Sequence, residues 1–86
     1  MAAAKSTLKA ESDAITKAID FLNDDFLKSV KAIYNTKGRL VVTGIGKSAH
    51  IGNKIVATLN STGTPSLFMH AAEAVHGDLG MITKDD

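Results

Sequence analysis

The sequence predicts an α/β protein built on an incomplete doubly wound parallel sheet, with its elements in the order α-α-β-α-β-short α. Two short apolar runs without polar alternation, residues 40–43 and 66–69, are typical of strands buried on both faces of a parallel sheet. The segment between them returns apolar residues to one side at helical spacing, as a crossover helix does. Because a two-stranded sheet is not independently stable, we expect these 86 residues to be the amino-terminal portion of a larger α/β domain.

Two helices are predicted before the first strand, the first over residues 5–22 and the second starting after Asn23. Asn23 is a suitable N-cap for the second helix, and Gly38 is a suitable C-terminal stop. Both helices are amphipathic, and their apolar faces either form an oligomer interface, cover a sheet edge or pack within one subunit. The residues of the second helix expected to be buried are Phe26, Leu27, Val30, Ile33 and Tyr34.

The first strand ends in a glycine turn that leads into a helix predicted from about residue 49 to residue 59. Gly44 and Gly46 allow a tight turn, and the free amides and the dipole of the following helix make an anion site. Lys47 adds a positive charge and Ser48 a hydroxyl at the same place. The pattern therefore predicts a phosphate-binding corner. The residues expected to form the apolar face of this helix, which packs on the sheet, are Ile51, Ile55, Val56 and Leu59.

This corner has three other interpretations. A Walker A loop requires a glycine where Val41 stands, so that motif is excluded. The dinucleotide fingerprint G-x-G-x-x-G/A does match through Gly44, Gly46 and Ala49, but the second strand ends at His70 instead of at an acidic residue. A dinucleotide-binding domain is therefore a weaker alternative. The third interpretation is that the glycines only allow the helix to pack closely on the strand.

Two histidines follow the second strand. In a doubly wound fold, ligands bind outside the carboxyl ends of the strands, where both Lys47 and His70 are expected. His76 lies six residues further on, so the sequence places acid–base groups next to an anion site. His70 and His76 could also hold a metal with Glu73 or Asp78, but their spacing is not the i, i+4 spacing of helical zinc ligands. We therefore expect no obligatory metal.

Composition narrows the function classes. Ten basic residues face nine acidic ones, giving a net charge of +1, so neither nucleic acid nor an anionic membrane is expected as a partner. The absence of cysteine excludes disulfides and thiolate chemistry and is compatible with the cytoplasm. No apolar run is long enough for a secretory signal or a membrane span.

Three motifs taken together resemble the amino-terminal half of the sugar isomerase (SIS) domain and, more narrowly, the D-arabinose 5-phosphate isomerase family. They are VVTGIGKSAHIG at residues 41–52, STGTP at 61–65 and HAAEAVHGDLG at 70–80. Ala49 and Ala71 depart from the glycine and proline common in the family. The resemblance implies a flavodoxin-like single domain, in which residues 1–37 form two helices and residues 38–86 a βαβ phosphosugar-binding core.

The resemblance also implies the reversible conversion of D-arabinose 5-phosphate and D-ribulose 5-phosphate by a cytoplasmic homo-oligomer, a tetramer in the family, which supplies 3-deoxy-D-manno-octulosonate for lipopolysaccharide. By position, Lys47 and His76 match catalytic residues, and Gly63, Thr64, His70 and His76 match substrate contacts. His70 also matches a position able to bind zinc, which the family does not require, so no cofactor is expected.

The family's serine-rich phosphate loop, its glutamate base candidates and a further histidine fall after residue 86. The resemblance therefore implies that these 86 residues are inactive by themselves. SIS folds also serve as phosphosugar sensors, and a non-catalytic regulatory module is the alternative function.

Overall fold

The computed structural model describes residues 1–86. The chain divides into two compact units, residues 1–31 and residues 32–86, and the first unit is helical. The bounds are Ala2–Lys17 for α1, Ala18–Phe21 for a 3-10 turn that continues it, and Asp24–Asn35 for α2, which crosses into the second unit. The first predicted helix is thus confirmed, although its last turn is tightened to 3-10 geometry. No helix in the chain combines the length and the apolar character needed to cross a membrane.

Asn23 caps α2, as the sequence predicts. Its Oδ1 accepts hydrogen bonds from the backbone N–H groups of Asp25 and Phe26, each at 3.1 Å. These are two of the amides that a helix leaves without a partner in its first turn. The acidic residues Asp24 and Asp25 lie in the same turn, where the helix dipole favours negative charge.

The predicted burial of the apolar face of α2 is wrong for four of its five residues. Phe26, Leu27 and Val30 remain about half exposed and Tyr34 is 87% exposed, whereas Ile33 is partly buried. An amphipathic pattern identifies the face that gains most from leaving water, but it carries no information about what covers that face. The apolar residues of α1 are exposed as well.

The second unit contains a two-stranded parallel sheet. Strand β1 spans Leu40–Gly44 and strand β2 spans Ser66–His70, and the register pairs Leu40 with Ser66 and Gly44 with His70. The crossover helix α3, Lys47–Ser61, completes the predicted βαβ unit. It begins two residues earlier than expected, because Gly46 adopts φ +63° and turns the chain directly into the helix.

The face of α3 that packs on the sheet agrees with the prediction only in part. Val56 is buried and Leu59 partly buried, as expected, but Ala49 and Gly52 are buried in place of Ile51 and Ile55, which are exposed. The reason is the close approach of helix and sheet at Gly52. A Cβ atom there would lie 2.8 Å from Cε2 of Phe68 and 3.4 Å from Cγ1 of Val42. Small residues therefore line the contact, and the large isoleucines lie outside it.

Burial of the strands is also less complete than predicted. Most residues of β1 and β2 are half-buried, and Met69 is the one buried strand residue. A continuous apolar run is typical of a strand that other elements cover on both faces. The described residues do not bury both faces of this sheet.

The chain beyond β2 leaves the carboxyl edge of the sheet and returns to its amino edge. It forms a single helical turn, α4, over Ala71–Ala74 and a 3-10 turn over Asp78–Met81. The backbone N–H of Gly38 then donates to the carbonyl of Asp85 at 3.0 Å. Gly38 is not the left-handed helix stop that the sequence suggests, since its φ is not positive. It provides space instead, because a Cβ at Gly38 would lie 2.3 Å from the Asp85 carbonyl oxygen.

Candidate functional site

The carboxyl edge of the sheet brings the glycine turn and the second motif together. Gly44 and His70 are directly paired in the strand register. Neighbouring strands lie about 4.8 Å apart, so the two strand ends are adjacent. Lys47 and Ser48 stand at the start of α3, three and four residues after Gly44. The predicted meeting of the glycine turn with His70 at this edge is thus confirmed.

The amino terminus of α3 has free hydrogen-bond donors. No side chain caps it, and the backbone N–H groups of Lys47 and Ser48 have no acceptor in the chain. The first amide used is that of Ala49, which donates to the carbonyl of Gly46 at 3.1 Å. The side chains of Lys47 and Ser48 are exposed and make no hydrogen bond within the chain. A helix terminus with free amides and a nearby ammonium group can bind a phosphate or another oxyanion.

Thr43 joins the strand ends beneath the glycine turn, a role that the sequence analysis missed. Its hydroxyl donates to the backbone carbonyl of Met69 at 2.6 Å. Thr43 and Met69 are register partners, so this bond reinforces the ladder one residue before Gly44 and His70. A threonine in an apolar run indicates strand propensity, and nothing in its spacing indicates this contact.

His70 has a defined orientation. Its Nδ1 accepts a hydrogen bond from the backbone N–H of Ala72 at 3.1 Å and so caps α4. Because Nδ1 is the acceptor, the proton of the neutral ring lies on Nε2, which is left as a donor. A zinc ion needs an unprotonated ring nitrogen, so binding through Nδ1 would break the cap. The chain contains no group of three side chains able to hold a metal.

His76 lies in the turn that follows α4. Its backbone N–H donates to the carbonyl of Glu73 at 3.0 Å, and Gly77 next to it adopts φ +128°. The imidazole is exposed and makes no hydrogen bond within the chain, so both ring nitrogens are available to a ligand. Lys47 and His76 are not hydrogen-bonded to each other.

Gly63 and Thr64 lie at the opposite, amino edge of the sheet. Gly63 adopts φ +94°, and the backbone N–H of Thr64 donates to the carbonyl of Leu59 at 2.8 Å. Both border a cavity of about 290 Å³. The length of β2, about 13 Å at 3.3 Å per residue, separates this edge from His70. The structure therefore does not bring Gly63 and Thr64 to Lys47 and His70.

Arg39 and Asp86 form an ion pair that the sequence analysis also missed. The Asp86 carboxylate accepts from Nη2 of Arg39 at 2.8 Å and from the backbone N–H groups of Arg39 and Thr83 at 2.9 and 2.8 Å. Its side chain is only 2% exposed. The hydrogen bond from the Arg39 guanidinium, and then the two backbone donors, hold the pKa of Asp86 well below its usual range. The same hydrogen bond raises the pKa of Arg39.

Comparisons with known proteins agree with the arrangement of the motifs. Residues 32–86 match the family described as SIS domain. The chain is 55% identical over 83 residues to arabinose 5-phosphate isomerase KdsD of Pseudomonas aeruginosa, a match that covers 96% of this chain and 26% of that protein. It is 51% identical over 84 residues to arabinose 5-phosphate isomerase GutQ of Escherichia coli K12, covering 98% of this chain and 26% of the relative.

A solved structure gives the same likeness in three dimensions. The E. coli CFT073 protein c3406, solved in complex with a phosphosugar, matches with a TM-score of 0.88 and 45% identity, over 95% of this chain and 44% of that one. The chain thus spans about a quarter of the length of the two isomerases.

Proposed function

The chain belongs to the SIS domain family, and from this membership we propose that it forms the amino-terminal phosphosugar-binding part of an aldose–ketose isomerase. The proposed reaction interconverts D-arabinose 5-phosphate and D-ribulose 5-phosphate. The observation that carries the proposal is the pairing of Gly44 with His70, since the turn that leads to Lys47 and the free amides of α3 starts beside a histidine. Its further support is the 55% identity to a protein named as an isomerase of this sugar phosphate.

We assign the chemistry of the site from the residue types at this edge. Moving a carbonyl between C1 and C2 requires the removal of a carbon-bound proton and the stabilisation of an enediolate. The Lys47 ammonium is proposed to offset the developing oxyanion charge, the kind of interaction that contributes about 10²–10³-fold to a rate. His76 is proposed to move protons between the oxygens of the substrate. The base that takes the carbon-bound proton is proposed to come from outside these 86 residues.

The substrate phosphate supplies binding energy remote from the reacting carbons. We propose that the backbone of the glycine turn at Gly44 and Gly46, the hydroxyl of Ser48 and the donor Nε2 of His70 orient the sugar phosphate. These groups supply hydrogen-bond donors that an anionic, hydroxylated substrate can accept from. No cofactor is included in this proposal, and a zinc ion at His70 would be incidental to turnover.

Gly63 and Thr64 are proposed to contact the substrate in the site of a second copy of the chain. A single pentose phosphate would have to extend along a whole strand to reach both these residues and Lys47 of one copy. We therefore propose a homo-oligomer in which Gly63 and Thr64 of one copy approach the substrate held by another. The exposed apolar residues of α1 and α2 support self-association. We also propose that the reaction takes place in the cytoplasm and supplies a lipopolysaccharide precursor. Both statements rest on the family resemblance alone.

The test is the substitution Lys47→Ala in the natural full-length polypeptide. We expect turnover of D-arabinose 5-phosphate to fall about 10²–10³-fold, because an oxyanion partner is lost. Lys54→Ala is the matched control, since Lys54 is an exposed lysine of the same helix that makes no ion pair, and it should leave turnover within about twofold. The 86-residue polypeptide by itself should not turn over the sugar phosphate.

Two results would overturn this function. A wild-type protein that binds D-arabinose 5-phosphate without converting it would be a phosphosugar sensor, the non-catalytic alternative. A protein that is stabilised against heat by NAD and by neither arabinose 5-phosphate nor glucosamine 6-phosphate would be a dinucleotide-binding domain.

A further inference from the structure

A cluster of polar contacts fixes the end of the last segment against the start of β1. Besides its bonds to Asp86, the Arg39 guanidinium donates a hydrogen bond to the carbonyl of Met81. The backbone N–H of Gly38 donates to the backbone carbonyl of Asp85 at 3.0 Å. We call Gly38, Arg39, Asp85 and Asp86 the clamp. It lies at the amino edge of the sheet, because Arg39 immediately precedes β1.

The clamp is one of two anchors of the segment that carries His76. Residues 71–86 leave the carboxyl edge at His70 and return to the amino edge, a distance of about 13 Å along the strands. Between the anchors, the backbone hydrogen bonds of the turns join residues only three positions apart. The large apolar side chains of Val75 and Leu79 are 76% and 55% exposed, so little packing fixes the path of the segment.

The chemistry of the clamp suits it to fix a path. A guanidinium is a rigid planar fork, and here it bonds both oxygens of a carboxylate and a carbonyl at once, which an ammonium group cannot do in this geometry. The contact also depends on the absence of a side chain at Gly38, where a Cβ would lie 2.3 Å from the Asp85 carbonyl oxygen. Arg39 and Gly38 therefore control the attachment of the last segment independently, Arg39 through its hydrogen bonds and Gly38 through the space it leaves.

We propose that Arg39 and Asp86 are positioning residues that fix the path of the segment that carries His76, between the carboxyl edge of the sheet at His70 and the amino edge at the clamp. The proposal rests on the isomerase function proposed above and extends it to a pair that touches no substrate. The clamp acts through the backbone of residues 71–86, from the edge opposite to the site.

The test compares Arg39→Lys with wild type in the natural full-length polypeptide. The substitution keeps the charge and removes the fork, so kcat should fall about tenfold while KM for D-arabinose 5-phosphate changes less than about threefold. Amide hydrogen exchange should become about tenfold faster in residues 71–81 and should stay within about twofold in α3. Gly38→Ala, which retains both charges, should have the same two effects.

Lys37→Ala is the control, because Lys37 is an exposed neighbouring cation without a hydrogen-bond partner, and it should change neither measurement. The proposal is overturned if Arg39→Lys leaves kcat unchanged in an active enzyme. It is equally overturned if exchange accelerates as much in α3 as in residues 71–81, since the pair would then serve general stability. A wild type without isomerase activity would refute the proposed function instead, and the exchange measurement would still test the clamp.

Discussion

Single residues of this chain fall into two groups according to whether their polar atoms are occupied. Thr43, Arg39 and Asp86 use their side chains in hydrogen bonds within the chain. Lys47 and His76 leave theirs exposed and unbonded. Groups of the first kind give the chain its geometry, and groups of the second kind are available for a ligand. The proposed site combines residues of the second kind with His70, whose Nδ1 is occupied in the cap of α4 while its Nε2 stays available.

The Asp86 carboxylate should make stability depend on pH. Its pKa is lower in the folded chain than in the unfolded one, because Arg39 and two backbone N–H groups favour the charged form. The stability it contributes is therefore fully present above the unfolded-state pKa of about 3.9, and is lost as pH falls below that value. We expect Asp86→Asn to lower the urea midpoint at pH 7, and the difference from wild type to shrink as the pH falls below 4.

Asp85→Asn is the control for this measurement. The Asp85 side chain makes no hydrogen bond, and only its backbone carbonyl takes part in the clamp, so the substitution should not move the midpoint at pH 7. A loss of stability in Asp86→Asn that has the same size at pH 7 and at pH 3 would show that charge is not the cause.

Secondary-structure elements were the part of the fold most open to prediction from sequence. The runs at residues 40–43 and 66–69, the cap at Asn23 and the glycine turn all depend on patterns within a few residues, and all are confirmed. What covers each face was not predictable in the same way. The helix α3 illustrates why, since hydrophobicity favours Ile51 and Ile55 for the core, whereas the sheet approaches the side with the smallest residues.

The same distinction between local patterns and long-range contacts applies to the site. The register of two predicted strands was enough to bring His70 beside the glycine turn. The clamp was not predictable, because Arg39 and Asp86 are 47 positions apart and no periodicity connects them. The amino-edge position of Gly63 and Thr64 follows from the direction of β2, and a likeness between motifs says nothing about how far apart those motifs fold.

The contact between α3 and the sheet can be tested at Gly52. Alanine favours a helix over glycine by about 1 kcal/mol, but the new Cβ would lie 2.8 Å from the Phe68 ring, and overpacking of this kind costs about 1–3 kcal/mol. The steric term should prevail, so we expect Gly52→Ala to lower the free energy of unfolding by about 1 kcal/mol, measured by urea denaturation.

Phe68→Leu supplies the coupling test for that prediction. In the double variant the smaller side chain should accept the Cβ, so the loss caused by Gly52→Ala should be smaller than in wild type. Gly80→Ala is a control, because a Cβ there has no atom within 4 Å and its φ is not positive. Additive effects of the two substitutions would contradict the steric explanation.

The whole molecule exposes much more apolar side chain than it buries. Ala49, Val56 and Met69 are its buried apolar residues, whereas large side chains of α1, α2 and α3 remain in water. Burial of apolar surface contributes about 25 cal/mol per Å², so association that covers these faces is favourable. Exposed apolar helix faces of this kind are typical of surfaces that bind other protein.

We therefore expect the 86-residue polypeptide to self-associate, with the exposed face of α2 as one contact. Sedimentation velocity should detect species larger than a monomer, in amounts that rise with concentration. The double substitution Phe26→Glu and Val30→Glu should shift the distribution toward monomer, because it places charges on a face that association would dehydrate. Val75→Glu, at a more exposed apolar position outside α2, is the control and should leave the distribution unchanged. A wild-type polypeptide that stays monomeric up to millimolar concentration would show that these faces do not bind one another.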